Sequence, residues 1–259
     1  MPEGDTVWKT AQLQHAALAG KVLESSDFRV PRFATLDLAG ETVHEVVARG
    51  KHLFHRVGDH SIHSHLKMEG VWRAYAPGER WQRPAFTARV ILDAPGVQAV
   101  GFELGTLEVI PTADEGEVVG HLGPDLLGPD WDADEAVRRL AADPEMPIYV
   151  ALLDQRNLAG IGNVYSNELC FLRGVLPTRA VGETPDLPRV VALAERMLQA
   201  NKQRFTRSTT GDLRPGRTSW VYGRTGRSCR RCGTTLLGGE LGRVEGQERV
   251  VSWCPRCQS

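Results

Sequence analysis

The sequence predicts an α+β protein of two domains: an N-terminal domain of short antiparallel strands, a β-sandwich or barrel with a flanking helix, then a C-terminal helical bundle that carries a β-hairpin zinc finger. Three observations lead there. Short β-rich runs broken by Gly, Pro and Asp fill residues 21–111, the spacing of a sandwich or barrel. Helical periodicity takes over between residues 132 and 198. The chain then closes with Cys229-Arg230-Arg231-Cys232 and Cys254-Pro255-Arg256-Cys257, two CxxC pairs with 21 residues between them.

Residues 5–19 read as the first helix, with Asp5 as its cap, Val7, Ala11 and Leu18 on one face, and Gly20 as its stop. Strands are expected over Thr42–Val47, Lys51–Val57 (Lys51 opening its strand) and Ala88–Leu92. The acidic stretch 112–132, with Gly123-Pro124-Asp125 and Gly128-Pro129-Asp130, marks a domain boundary. Asp132-Ala133-Asp134-Glu135 resembles a capping box, and Ala133, Ala136, Val137 and Leu140 share a helix face. Pro147 suits the first position of a helix running through Leu152 and Leu153. A further helix begins near Asn163, and another follows Pro188 with Leu193, Met197 and Leu198 apolar. The segment Arg207–Arg217 has no periodicity and is expected to be a mobile loop. The domain plan is therefore 1–118 for the sandwich, 119–131 for a linker, 132–219 for the helical domain and 220–259 for the zinc finger.

A net charge of −1 hides an asymmetry. Residues 201–259 carry 12 Lys and Arg against 4 Asp and Glu, a net of +8, which leaves −9 for residues 1–200. A basic end of this kind is the footprint of a polyanion partner. The 41% hydrophobic content is that of a soluble protein able to bury a core. No run approaches the roughly 18 apolar residues of a membrane span. The N-terminus has no signal-peptide pattern, so the expected location is the cytoplasm, in association with the nucleoid. Four of the five cysteines fall in the CxxC pairs, the usage of a metal site in a reducing compartment; Cys170, between Leu169 and Phe171, reads as a core residue.

The chemistry-bearing residues follow from these limits. Cys229, Cys232, Cys254 and Cys257 supply the four tetrahedral thiolates of one structural zinc ion, leaving no open position for catalysis. Gly160-Ile161-Gly162-Asn163 opens a helix, where free N–H groups bind a phosphate, although tight helix packing accounts for the same glycines. Taken alone, Met1-Pro2-Glu3 reads as an ordinary start; once Met1 is removed, it pairs a secondary amine with a carboxylate. An α-amino group with a pKa near ~8 is far more nucleophilic at neutral pH than lysine. Lys51 alone reads as a solvated strand lysine. His52, His55, His60, His63 and His65 crowd one stretch, with His63 and His65 on one strand face, and read as structural or DNA-facing rather than as metal ligands.

Together these residues resemble the formamidopyrimidine-DNA glycosylase/endonuclease VIII family of bifunctional base-excision DNA glycosylases. The likeness spans essentially the whole chain: Met1-Pro2-Glu3-Gly4, Arg49-Gly50-Lys51, His65-Leu66-Lys67-Met68-Glu69-Gly70, Leu153-Asp154-Gln155, Gly160-Ile161-Gly162-Asn163, Tyr222-Gly223-Arg224 and the zinc finger. The resemblance implies a β-sandwich joined to a helix–two-turn–helix domain and a zinc finger, with damaged DNA as partner and a monomeric enzyme. It makes Pro2 the nucleophile, Glu3 its acid/base partner and Lys51 a catalytic-site lysine that contacts a phosphate beside the lesion. Asn163 becomes a phosphate ligand, and Arg249 the finger arginine that grips the backbone around the flipped nucleotide. Met68, flanked by Lys67 and Glu69, lies in the loop that fills the gap left by the everted base, with plain packing as the alternative.

Two departures qualify the resemblance. The second acidic residue often found after the catalytic glutamate is replaced by the local sequence Gly4-Asp5-Thr6. The formamidopyrimidine branch carries an Arg/Phe-bearing loop that has no counterpart in residues 102–113, which favours the endonuclease VIII branch and oxidised pyrimidines. The expected function is a DNA glycosylase and abasic-site lyase working by β,δ-elimination. Its rivals are a damage binder of the same fold without chemistry and a glycosylase for 8-oxoguanine or formamidopyrimidine.

Overall fold

A computed structural model describes residues 2–259, so Met1 and its removal lie outside the described residues. The chain divides into two compact units, Met1–His121 and Leu122–Ser259.

The first unit opens with α1 (Gly4–Leu18), which buries Val7, Ala11, Gln14 and Leu18. Asp5 is not its cap. Glu3 occupies that position with extended backbone (φ −126°, ψ −174°), and Asp5 sits inside the first turn, its Oδ1 accepting from the Thr6 N–H at 2.8 Å. Eight strands follow: β1 (Ser25–Phe28), β2 (Val43–Arg49), β3 (His52–Val57), β4 (His60–His65), β5 (Val71–Tyr75), β6 (Ala88–Ala94), β7 (Val97–Phe102) and β8 (Thr106–Pro111). They form two antiparallel four-stranded sheets, ordered β1-β6-β7-β5 and β2-β3-β4-β8. One core cluster takes Phe28, Trp72, Val90 and Leu92 from the first sheet and Val46, Leu53, Val57 and Ile62 from the second, as a sandwich requires. Helix α1 packs on the edge strand β2, and the Val46 N–H donates to His15 Nδ1 at 3.1 Å. A short helix, α2 (Glu115–Val119), ends the unit.

The second unit begins with α3 (Ala133–Ala141). Asp132 caps it by accepting from the Glu135 N–H at 3.0 Å, while the Glu135 side chain turns away to ion-pair with Arg138 and Arg139 rather than closing a capping box. Pro147 is the N-cap of α4 (Ile148–Leu153), one position earlier than expected, because its N–H-free ring can precede the first turn but need not enter it. Helix α5 (Asn163–Arg173) is buried through Phe171 and ends on Gly174 at φ +70°, a left-handed cap. Helix α6 (Leu187–Asn201) takes Asp186 as its cap and holds Pro188 in its first turn. The hairpin of β9 (Leu237–Leu241) and β10 (Arg249–Trp253) then completes the chain's regular structure. A single core joins Tyr149, Tyr165, Leu169, Val191 and Leu198 with Val251 of β10, so the hairpin is seated on the helices. Among the described residues no helix is long and apolar enough to cross a membrane.

Candidate functional site

In the first unit the expected catalytic residues Pro2, Glu3 and Lys51 and the expected DNA-binding residues Lys67 and Met68 occupy three places. Pro2 is half-buried immediately before Glu3, whose residue is fully buried; the Glu3 carbonyl accepts from the Thr6 and Val7 N–H groups at 2.9 and 3.0 Å and starts α1. The N-terminus of a 15-residue helix thus brings its positive dipole end to the Pro2–Glu3 pair. Lys51 does not open a strand. It lies in the tight Gly50-Lys51 turn between β2 and β3, where Gly50 takes φ +59°, a backbone state glycine adopts without a steric penalty. The Arg49-Gly50-Lys51 motif is therefore a hairpin turn that fixes where the lysine stem leaves the sheet.

The third place is the loop after β4. Lys67 adopts φ +51°, a left-handed state costing a non-glycine residue about 1–2 kcal/mol. Its N–H donates to His65 Nδ1 at 2.9 Å, which offsets part of that cost, and the Gly70 N–H closes the turn on the Leu66 carbonyl at 2.9 Å. A Cβ on Gly70 would stand 2.4 Å from that carbonyl oxygen, so only glycine fits. Met68 is left at the tip, 58% exposed, with Lys67 and Glu69 exposed beside it. An exposed, flexible apolar side chain on a strained turn is suited to fill an opening in a base stack.

The outer face of β3, β4 and β8 carries a ladder that sequence reading left unresolved. The strands pair His52 with His65, Phe54 with His63, and His63 with Glu108. His52 Nδ1 and His63 Nε2 are 2.9 Å apart, and His63 Nδ1 lies 3.1 Å from Glu108 Oε2. With Glu108 accepting, His63 donates through Nδ1 and accepts through Nε2, and His52 donates to it. His65 accepts the Lys67 N–H on Nδ1, so in its neutral form the proton sits on Nε2. Burial, and then the neighbouring His63, His65, His121 and Lys67 in that order, push His52 down to about 3. Burial, with Lys67 and Lys51 following, lowers His65 to about 4, and His63 also falls below its ordinary value through burial. The rings are neutral at pH 7, and the cationic residues at this end of the sheet are Arg49, Lys51 and Lys67.

In the second unit the turn between α4 and α5 is built by Gln155. Its Nε2 donates to the Leu153 and Ile161 carbonyls at 2.8 Å each, and its Oε1 accepts from the Gly160 N–H at 3.1 Å. That brace delivers Asn163 to the first turn of α5. Asn163 Oδ1 accepts from the Tyr149 hydroxyl at 2.6 Å and from Asn167 Nδ2 at 2.7 Å, which leaves its NH₂ group as the donor facing away from both. Arg249, exposed, opens β10 opposite Leu241. The hairpin turn is tied back by Arg243, whose Nη1 reaches Asp154 Oδ2 at 2.7 Å; Arg156 beside it holds the Asp154 carboxyl below the usual carboxylate range.

Sequence reading missed Glu168. Its buried carboxylate accepts backbone N–H groups of Trp220 (2.7 Å), Val221 and Tyr222 (2.8 Å each), and the Thr209 hydroxyl. The segment Arg207–Arg217 has no regular structure, yet its base is pinned: the Thr209 N–H donates to the Thr218 carbonyl at 2.8 Å, and the Ser208 N–H to Asn201 Oδ1 at 2.8 Å. The signal available was a glutamate at the centre of a helix that also carries Asn163, Ser166 and Asn167, but nothing in the sequence says which backbone it meets.

The four expected metal ligands converge. The Sγ atoms of Cys229, Cys232, Cys254 and Cys257 all lie within 4.8 Å of one another, with 3.5 Å between Cys232 and Cys254. A tetrahedral ZnS₄ centre with Zn–S of about 2.3 Å needs sulfur atoms ~3.8 Å apart, so the donor set fits one structural zinc ion. Cys170 stands apart; burial pushes its thiol up to about 12, as an inert core residue.

The chain matches the formamidopyrimidine-DNA glycosylase N-terminal domain over residues 1–102 and the formamidopyrimidine-DNA glycosylase H2TH domain over residues 122–200. It is 54% identical to "Probable endonuclease 8 2" of Streptomyces coelicolor, over 100% of this chain and 94% of that one. It is 53% identical to "DNA-(apurinic or apyrimidinic site) lyase Nei2" of Mycolicibacterium smegmatis, over 100% and 99%. The fold superposes on MutM in complex with DNA containing carbocyclic 8-oxo-G with a TM-score of 0.82, covering all of both chains at 23% identity. The chain belongs to the formamidopyrimidine-DNA glycosylase/endonuclease VIII family.

Proposed function

We propose that this chain is a bifunctional DNA glycosylase and abasic-site lyase of the endonuclease VIII type that removes oxidised pyrimidines. The observation that carries the reading is Pro2 set directly before the buried Glu3 at the head of α1, in a family member 53–54% identical to an endonuclease 8 and an abasic-site lyase. With Met1 removed, the Pro2 nitrogen attacks C1′ of the damaged nucleotide and the C1′–base bond breaks, the base leaving with the electron pair. Glu3 protonates the ring oxygen as the sugar opens to the Schiff base, then shuttles protons through β- and δ-elimination, which break the 3′ and 5′ C–O bonds in turn. Lys51 holds a phosphate beside the lesion, and Met68 with Lys67 occupies the gap in the stack. Asn163 and Arg249 grip backbone phosphates, and the zinc ion keeps the hairpin that carries Arg249 folded.

The preference for pyrimidines is supported by the connection between β7 and β8, which is the three residues Glu103-Leu104-Gly105, with Glu103 at φ +49° and ion-paired to Arg83. A link this short has no room for a loop bearing Arg and Phe to support the opposite base.

The test is borohydride trapping on a duplex with one abasic site, after mass spectrometry establishes that Met1 is absent. Wild type is expected to form a covalent complex and Pro2→Gly to form far less. Absence of any cross-link from processed wild type would leave a DNA binder without this chemistry. Efficient excision of 8-oxoguanine opposite cytosine, with thymine glycol left intact, would reverse the choice of substrate.

A further inference from the structure

We propose that Asn167 is the positioning residue that couples the two phosphate contacts of the second unit, Asn163 on α5 and Arg249 on β10; this rests on the phosphate-binding reading of those two side chains. Asn167 lies one helical turn after Asn163 and is fully buried. Its Nδ2 donates to the Asn163 carbonyl at 2.8 Å and to Asn163 Oδ1 at 2.7 Å. Its Oδ1 accepts the N–H of Ser252 at 2.7 Å, three residues along β10 from Arg249. One side chain amide therefore bonds the phosphate-binding asparagine at one end and the strand carrying the phosphate-binding arginine at the other.

Asparagine is a poor residue for a helix interior, because its side chain competes for nearby backbone groups. Here that tendency is satisfied by the strand and by Asn163, which explains its place in a helix buried on nearly every side. A second link runs parallel: the Tyr149 hydroxyl donates to Asn163 Oδ1 at 2.6 Å and lies 3.3 Å from the Val250 carbonyl. Both donors that decide which end of the Asn163 amide faces outward thus come from groups that also touch β10. The bridge fixes the spacing of the two contacts before DNA arrives, and such preorganisation raises affinity by lowering the cost of ordering the site.

Coupling of this kind is read by a double-mutant cycle. Binding of a duplex with a tetrahydrofuran abasic analogue is measured by fluorescence anisotropy for wild type, Asn163→Ala, Arg249→Ala and the pair, and again with Asn167→Ala added. Each single variant is expected to bind about tenfold more weakly, the scale of one lost hydrogen bond to a charged group. In the wild-type background the pair should lose about threefold less than the product of the singles, and Asn167→Ala should bring that factor to one. Asn167→Asp keeps the acceptor for Ser252, and with it the hairpin's tie, but loses the donor to Asn163. It should weaken binding as Asn163→Ala does, with zinc content unchanged, and combining the two should add nothing; it decides the matter even if Asn167→Ala loses zinc. Wild-type affinity in Asn167→Asp, or an undiminished cycle in zinc-replete Asn167→Ala, would overturn the coupling while leaving the phosphate contacts in place. Wild-type affinity in both Asn163→Ala and Arg249→Ala would instead remove the phosphate reading and this inference with it.

Discussion

Arg249 and His55 show how differently two single side chains are judged. Arg249 is exposed at the start of β10, and the proposed function gives it the task of bringing a charge to a phosphate. Arg249→Ala should weaken binding to all duplexes and reduce the slope of log K against log salt by about one, because one fewer counterion is released. An unchanged slope in a salt titration would show that the arginine meets no phosphate. His55 points into the sandwich core, its ring 4.2 Å from that of Trp72, and neither ring nitrogen has a hydrogen-bond partner. Burial drives it down to about 3, so folding holds it neutral where the unfolded chain would protonate it. An unpaired buried polar group costs about 1–3 kcal/mol, and His55→Phe removes that cost while keeping a ring against Trp72. The variant should gain more stability at pH 5 than at pH 7.5; equal shifts in melting temperature at the two pH values would mean that His55 does not titrate with unfolding.

At the scale of elements, the histidine ladder makes the β2-β3-β4-β8 sheet sensitive to acid. His52, His63 and His65 are all lowered on folding, so the unfolded chain binds more protons than the folded one below the ordinary histidine value of about 6.5. The stability they allow is present in full above that value and is lost as pH falls toward the folded values of about 3 for His52 and about 4 for His65. Melting curves at pH 7.5, 6 and 5 should therefore step downward, and His52→Gln should flatten the step; a melting temperature level down to pH 5 would contradict the ladder. The same elements show what the sequence makes legible. Strand and helix positions were readable because burial repeats with the period of each element, as with Val7, Ala11 and Leu18, and the CxxC pairs announce their own chemistry. The errors at Asp5, Pro147 and Lys51 are each of a residue or two at an element's edge, where caps and turns rather than periodicity decide. The contacts of Glu168, the Asn167–Ser252 bond and the His63–Glu108 contact were illegible because the partners lie 41 to 85 residues apart in the chain, and local pattern carries no information about them.

Over the whole molecule, charge and metal act on the same C-terminal stretch. Residues 201–259 hold a net +8 in a chain of net −1, so DNA binding should fall steeply with salt and its attraction should originate there. That stretch has little apolar core of its own: Val221, Cys229, Leu236 and Cys254 gather around Phe171 of α5, and two of the four are zinc ligands. Four thiolates held within 4.8 Å of one another cannot stay ionised together without a cation, so the metal is what lets this segment remain folded with its arginines in place. Removing zinc with a strong thiol-competing chelator, or replacing Cys232 with Ser, should abolish binding to a lesion duplex, and restoring zinc should rescue the chelated wild type but not the variant. Metal content, measured with a colorimetric zinc indicator, should track bound DNA at a ratio of one zinc ion per active chain. Zinc-free protein that bound the duplex at wild-type affinity would place the DNA grip outside the finger and return the +8 to ordinary surface charge.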